Sequence, residues 1–92
     1  MDDVVVYPRV CVRHPELSEQ DVLDAWDGCL RARPRLDKSP NEYLAVGADG
    51  NGRLIEVVAK AAPDGDWLIY HAMTPPSKRT LSELGLIGGK HG

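Results

Sequence analysis

The chain has 92 residues, 42% of them hydrophobic and 27% charged, with a formal net charge of −3. That length supports one domain and excludes two ordinary cores, and the apolar content excludes a disordered chain. No apolar run reaches the roughly 18–20 residues of a membrane span, and the acidic balance argues against holding nucleic acid by bulk charge alone.

Val4-Val5-Val6-Tyr7 is β-branched and aromatic and predicts a short strand, punctuated by Pro8. Arg9 to His14 fits two readings: Val10 and Val12 alternate as in a strand, whereas Val10, Arg13 and His14 share one helical turn. The first clear element starts at Ser18, an N-cap with Asp21 three residues on as a capping-box partner. Leu17 and Val22 fit a hydrophobic staple around that cap. Val22, Trp26, Cys29 and Leu30 form a helical stripe, and Pro34 stops it, so the predicted helix runs roughly 19–31.

Arg31 to Asn41 reads as a loop with two prolines, Pro34 and Pro40, and is the most basic stretch of the chain. Tyr43–Ala48, Arg53–Lys60 and Trp67–Met73 then read as three strands. The turns between them carry Asp49-Gly50-Asn51-Gly52 and Pro63-Asp64-Gly65. After Thr74-Pro75-Pro76-Ser77 a short helix bears Leu81 and Leu84 and stops at Gly85. The expected fold is α+β. It has a three-strand antiparallel meander over 43–73, with the N-terminal strand as a candidate addition, packed on one long N-terminal helix and a short C-terminal one. Residues 1–86 form the single domain and 87–92 a flexible tail.

Cys11 and Cys29 fit no metal-ligand spacing. With no basic n-region and apolar h-region at the start, a reducing cytoplasm is expected, with both thiols packed; a single disulfide is the alternative. No Walker loop, dinucleotide fingerprint, zinc motif or nucleophile elbow occurs, so no cofactor or metal is expected.

Strand parity sorts the side chains. A tight hairpin centred on Gly50-Asn51 pairs Glu56 with Ala45, and a loop over 62–65 pairs Ala61 with Asp66. In that register Glu56 lies opposite His71. One face then carries Leu44, Val46, Ala48, Ile55, Val57, Ala59, Leu68, Tyr70 and Ala72 against the long helix. The other is mixed and carries Tyr43, Glu56, Val58, Trp67, Ile69 and His71.

Glu56 beside His71 is the most specific constellation. A carboxylate next to an imidazole fixes its orientation and favours its protonated form, which suits general acid–base work on a phosphodiester. Lys78 and Arg79, at the start of the last helix, are placed to stabilise phosphate charge with that helix N-terminus. Arg31, Arg33, Arg35 and Lys38 could track an RNA backbone, and Arg13 with His14 could join the site. Each feature also has a plainer reading: a cross-strand polar pair, a solvated basic loop, a solvated Arg-His pair. Trp67 and Tyr43 could stack on bases or, with Ile69, be covered by a partner helix.

Three segments together resemble the BrnT-like toxins. They are Arg13-His14-Pro15-Glu16-Leu17-Ser18-Glu19-Gln20-Asp21-Val22, Gly52-Arg53-Leu54-Ile55-Glu56-Val57-Val58, and Ile69-Tyr70-His71-Ala72-Met73-Thr74-Pro75-Pro76-Ser77-Lys78. Their order and spacing span about residues 13–85. The chain departs from the family in its acidic balance and in having His71-Ala72-Met73 where the family has Ser-Ala-Arg. The resemblance implies a RelE/ParE-like α+β toxin of a type II toxin–antitoxin pair. Such toxins are ribonucleases that arrest translation and are neutralised by a cognate antitoxin. The matching positions are Arg13, His14, Glu56, His71, Lys78 and Arg79. The alternative function is a non-catalytic interaction module whose mixed face docks a partner helix or a second copy.

Overall fold

The computed structural model describes residues 3–35 and 41–87. Residues 1–2, 36–40 and 88–92 lie outside it, and with them Lys38 and nearly all of the expected tail. The fold is α+β, a five-strand mixed sheet with three helices in the order β1 (Val4–Val6), α1 (Pro8–Arg13), α2 (Glu19–Asp27), β2 (Cys29–Pro34), β3 (Glu42–Ala48), β4 (Leu54–Ala61), β5 (Trp67–Met73) and α3 (Lys78–Glu83). The strand order is β1-β5-β4-β3-β2. β1 runs parallel to β5 and the other pairs are antiparallel.

Pro8 resolves the ambiguous N-terminal stretch. With its φ preset and no N–H to satisfy, it opens α1 in the first turn, and Val10 is buried beneath. The capping box of α2 forms as expected: the Ser18 hydroxyl accepts from the Asp21 N–H at 3.1 Å, and the Asp21 carboxylate accepts from the Ser18 N–H at 3.0 Å. Leu17 and Val22 share one buried cluster, as a staple requires.

The single long helix of 19–31 is corrected. α2 ends at Asp27 with Gly28 as its C-cap, and Cys29–Pro34 is an exposed edge strand paired with β3 rather than the end of a helix and a loop. Cys29-Leu30-Arg31-Ala32-Arg33 has no β-branched residue, so local propensity favoured helix. Pairing with β3 overrides it, which edge strands commonly allow. Cys29 is consequently exposed rather than packed, and both cysteines are free thiols.

The meander of β3, β4 and β5 is present inside this larger sheet, but its register differs at two places. The first turn spans residues 49–53, not a tight pair. One Asp49 carboxylate oxygen accepts from the backbone N–H groups of Asn51 and Arg53 at 2.8 and 2.9 Å, and Gly52 takes φ of 81°. Glu56 therefore faces Val46 instead of Ala45. The second hairpin pairs Ala61 with Trp67 instead of Asp66, and a bulge then adds one more residue, so that Val58 faces His71 and Ala59 faces Ile69. Tyr70 is the extra residue.

Those two shifts reassign the faces. Ile55, Val57, Ala59, Ile69 and Ala72 pack with Val6, Val10, Leu17, Val22 and Ala25 under α2. Leu44, Val46 and Val58 lie on the other side with Leu81, Leu84 and Leu86 around α3. The expected face that joined Leu44 and Val46 to Ile55 and Val57 is thus split between the two sides. Trp67 and Ile69 move to the α2 side. α2 crosses β3 so closely that a Cβ on Gly47 would overlap the Ala25 carbonyl. Among the described residues no helix is long and apolar enough to cross a membrane.

Candidate functional site

The turn after β5 leads Ser77 back over β4, beneath which Glu56 is 6% exposed. One carboxylate oxygen of Glu56 accepts from the Ser77 N–H at 3.0 Å and from its hydroxyl at 3.1 Å. The other lies 2.8 Å from His71 Nε2. Glu56 and His71 are diagonal neighbours on one face rather than directly opposed. The hairpin slip alone would have separated them; the bulge at Tyr70 restores their common face. Burial works against the Glu56 charge, but hydrogen bonds from His71, Ser77 and Thr80 outweigh it and hold the carboxyl down at about 2. Glu56 is therefore an ionised acceptor, and it places a negative charge beside Ser77, the N-cap of α3.

β1 covers only the first half of β5, pairing as far as Ile69. Beyond it α1 packs along β5 and brings two arginines four residues apart, Arg9 and Arg13, to the same side as His71. His14, the C-cap of α1, sets its ring 6.4 Å from that of His71, with the planes at 88°. The result is a cleft of about 480 Å³ floored by Leu44, Glu56, Val58 and His71. It is walled by Arg9, Arg13 and His14 on one side and by Ser77, Arg79, Thr80 and Glu83 on the other, with Arg35 and Tyr70 at its margin. The Arg35 Nε–H is buried and has no hydrogen-bond acceptor among the described residues. The Tyr70 hydroxyl donates to Glu42 at 2.7 Å. Its pKa is pushed up to about 12 by burial first and then by that carboxylate, so it stays protonated near neutral pH.

Of the sequence-predicted residues, Arg13, His14, Arg35, Glu56, His71 and Arg79 come together in this cleft. Lys78 is exposed and does not line it. Arg31 and Arg33 are elsewhere: their guanidinium groups donate to the Leu84 and Glu83 carbonyls at 3.2 and 2.9 Å and cap the end of α3. Ile69 is fully buried, and Trp67 is wedged between Trp26 and Tyr43 with ring centres 5.3 and 5.2 Å away. The mixed docking face of Tyr43, Trp67 and Ile69 is therefore corrected: Trp67 and Ile69 belong to the α2-covered core, and His71 lies on the opposite side of the sheet.

Sequence reasoning missed Arg9, Ser77 and Thr80. The signal for Arg9 was its helical spacing from Arg13 once Pro8 is read as a helix start. Ser77 and Thr80 carried no signal beyond capping.

A second polar network holds the frame. Arg53 donates to Asp49 at 2.8 Å, to Asp21 at 3.1 Å and to the Glu16 carbonyl at 3.1 Å, tying the β3–β4 turn to the start of α2. The backbone N–H of Arg53, then its guanidinium and the Asn51 N–H, hold the Asp49 carboxyl below its usual range against burial, and Ser18 with Arg53 does the same for Asp21. Among the described residues no group of His, Cys, Asp and Glu side chains could hold a metal ion. No protein-family model matches the chain, and no curated protein or solved structure matches it.

Proposed function

We propose that this chain is an RNA-cleaving enzyme of the BrnT-like toxin type, working by acid–base chemistry on a phosphodiester. One observation carries the reading: the Glu56–His71 pair opens into a cleft lined by Arg9, Arg13, Arg35 and Arg79. RNA brings its own nucleophile, the 2′-hydroxyl, so cleavage needs a base for that proton, an acid for the departing oxygen and cations for the phosphoryl charge. His71, oriented by an ionised Glu56, is the group placed to carry a proton. The four arginines suit a phosphate as planar, permanently charged donors, and their charge would stabilise the transition state in a partly enclosed site. The Arg35 Nε–H without an acceptor fits an anion in the same place.

In this reading the chain acts in the cytoplasm, and a cognate antitoxin neutralises it by closing the cleft. Induced expression of the wild type in bacterial cells should arrest growth. His71→Gln, whose amide can still donate to Glu56, should fold and should not arrest growth. Equal arrest by both proteins would remove His71 from the chemistry, and no arrest by the wild type would contradict the toxin reading.

A further inference from the structure

The cleft contains two imidazoles, and their surroundings differ. His71 has Nε2 committed to the ionised Glu56 carboxylate at 2.8 Å. The ring donates Nε2–H there, so the lone pair sits on Nδ1, and the carboxylate stabilises the imidazolium that forms when Nδ1 takes a proton. His14 lacks such a bond. Its Nδ1 stands 3.6 Å from the Glu16 carboxylate, which leaves Nε2 as the ring nitrogen free to meet a substrate.

An in-line displacement at phosphorus puts the entering and departing oxygens on opposite sides. Its two proton carriers must therefore approach one phosphoryl group from different directions, each within about 2.6–3.2 Å of its oxygen. The two rings line one cleft with centres 6.4 Å apart and planes at 88°, and they are carried by different elements, His71 on β5 and His14 at the C-terminal end of α1, a spacing that leaves one phosphoryl group within reach of both.

We infer, on the basis of the RNA-cleaving reading above, that the two histidines divide the proton transfers: His71 is the base for the 2′-hydroxyl and His14 is the acid for the leaving oxygen. The O2′–P bond forms as the 2′-proton moves to His71 Nδ1. The P–O5′ bond breaks as His14 Nε2 gives its proton to O5′. The products are a 2′,3′-cyclic phosphate and a 5′-hydroxyl. His71 is left protonated and His14 neutral, and proton exchange with water restores both.

The roles separate by changing the leaving group. A single-stranded RNA oligonucleotide that the protein cuts is compared with the same oligonucleotide carrying a bridging 5′-sulfur at the cleaved linkage. A thiolate departs without a proton. His14→Ala should lose roughly 10²–10⁴-fold in rate on the ordinary RNA and return to within about tenfold of wild type on the sulfur substrate. His71→Gln should be slow on both. His14→Gln, which keeps more of the side chain's packing, should repeat the His14→Ala pattern. Wild-type rates for His14→Ala on ordinary RNA, or an equal loss on both substrates, would overturn the acid role while leaving the cleavage reading intact. A wild type that cuts no RNA would overturn the underlying reading and this division with it.

Discussion

At Glu56 one buried carboxylate both holds Ser77, the N-cap of α3, and orients His71. Its pKa of about 2, against an ordinary 4.5, makes it a stability device with a defined pH window. A depressed folded-state pKa contributes stability that is fully present above about 4.5 and is lost as pH falls toward 2. Urea unfolding of the wild type should therefore show stability falling through that interval. Glu56→Gln should lack at most about 3 kcal/mol of that decline. The difference between the two proteins isolates Glu56 from Asp21 and Asp49, whose carboxyls are also depressed. Equal pH profiles for the two proteins would contradict the hydrogen-bonded burial described for Glu56. The pair itself was legible from strand alternation, but for an incomplete reason. Two register shifts, one in the hairpin and one in the bulge at Tyr70, leave Glu56 and His71 on one face as diagonal neighbours. A bulge has no reliable signature in Leu68-Ile69-Tyr70-His71, so parity alone could not give the true register.

At the scale of elements, the decisive contacts are backbone approaches and helix ends. α2 lies against β3 with no room for a Cβ at Gly47. Gly47→Ala should therefore cost about 2–3 kcal/mol by overpacking, a fall in Tm of roughly 10–20 °C for a domain this size. A melting curve unchanged from wild type would contradict the close crossing. Arg33 and Arg79 look interchangeable in the sequence, yet one caps α3 and the other lines the cleft. Arg33→Ala should lower stability by about 1 kcal/mol and leave RNA affinity unchanged. Arg79→Ala should do the reverse, which urea titration and fluorescence anisotropy on a labelled RNA can separate. The presence of α2, β3, β4, β5 and α3 was readable because caps, turn residues and alternation mark them, whereas the end of α2 at Asp27 and the register of both hairpins were not. β2 was not, because Cys29–Pro34 carries helix-forming and proline-terminated chemistry and becomes a strand only by pairing with β3.

For the whole molecule, net charge and local charge point in opposite directions. Seven of the fourteen carboxylates fall in residues 2–27, while residues 28–92 hold nine of the eleven Lys and Arg. The fold then recruits Arg9 and Arg13 from the acidic part to join Arg35 and Arg79 around one cleft. A chain with a net charge of −3 can thus present a cationic site, with its acid spread over α2. Affinity for single-stranded RNA should fall as salt rises, with a log–log slope of about −2 to −3 for three or four phosphate contacts. Arg13→Ala should reduce that slope by about 1. A slope near zero would show that the cleft does not engage phosphate.

In the proposed function His71, held by Glu56 in this arginine-lined cleft, cuts RNA. The most direct measurement is the cleavage rate of a single-stranded RNA by purified wild type and by His71→Gln, both shown to be folded by circular dichroism. The wild type should cut, and His71→Gln should be slower by roughly 10²-fold or more. Equal rates, or no cutting by a folded wild type at low salt, would contradict it.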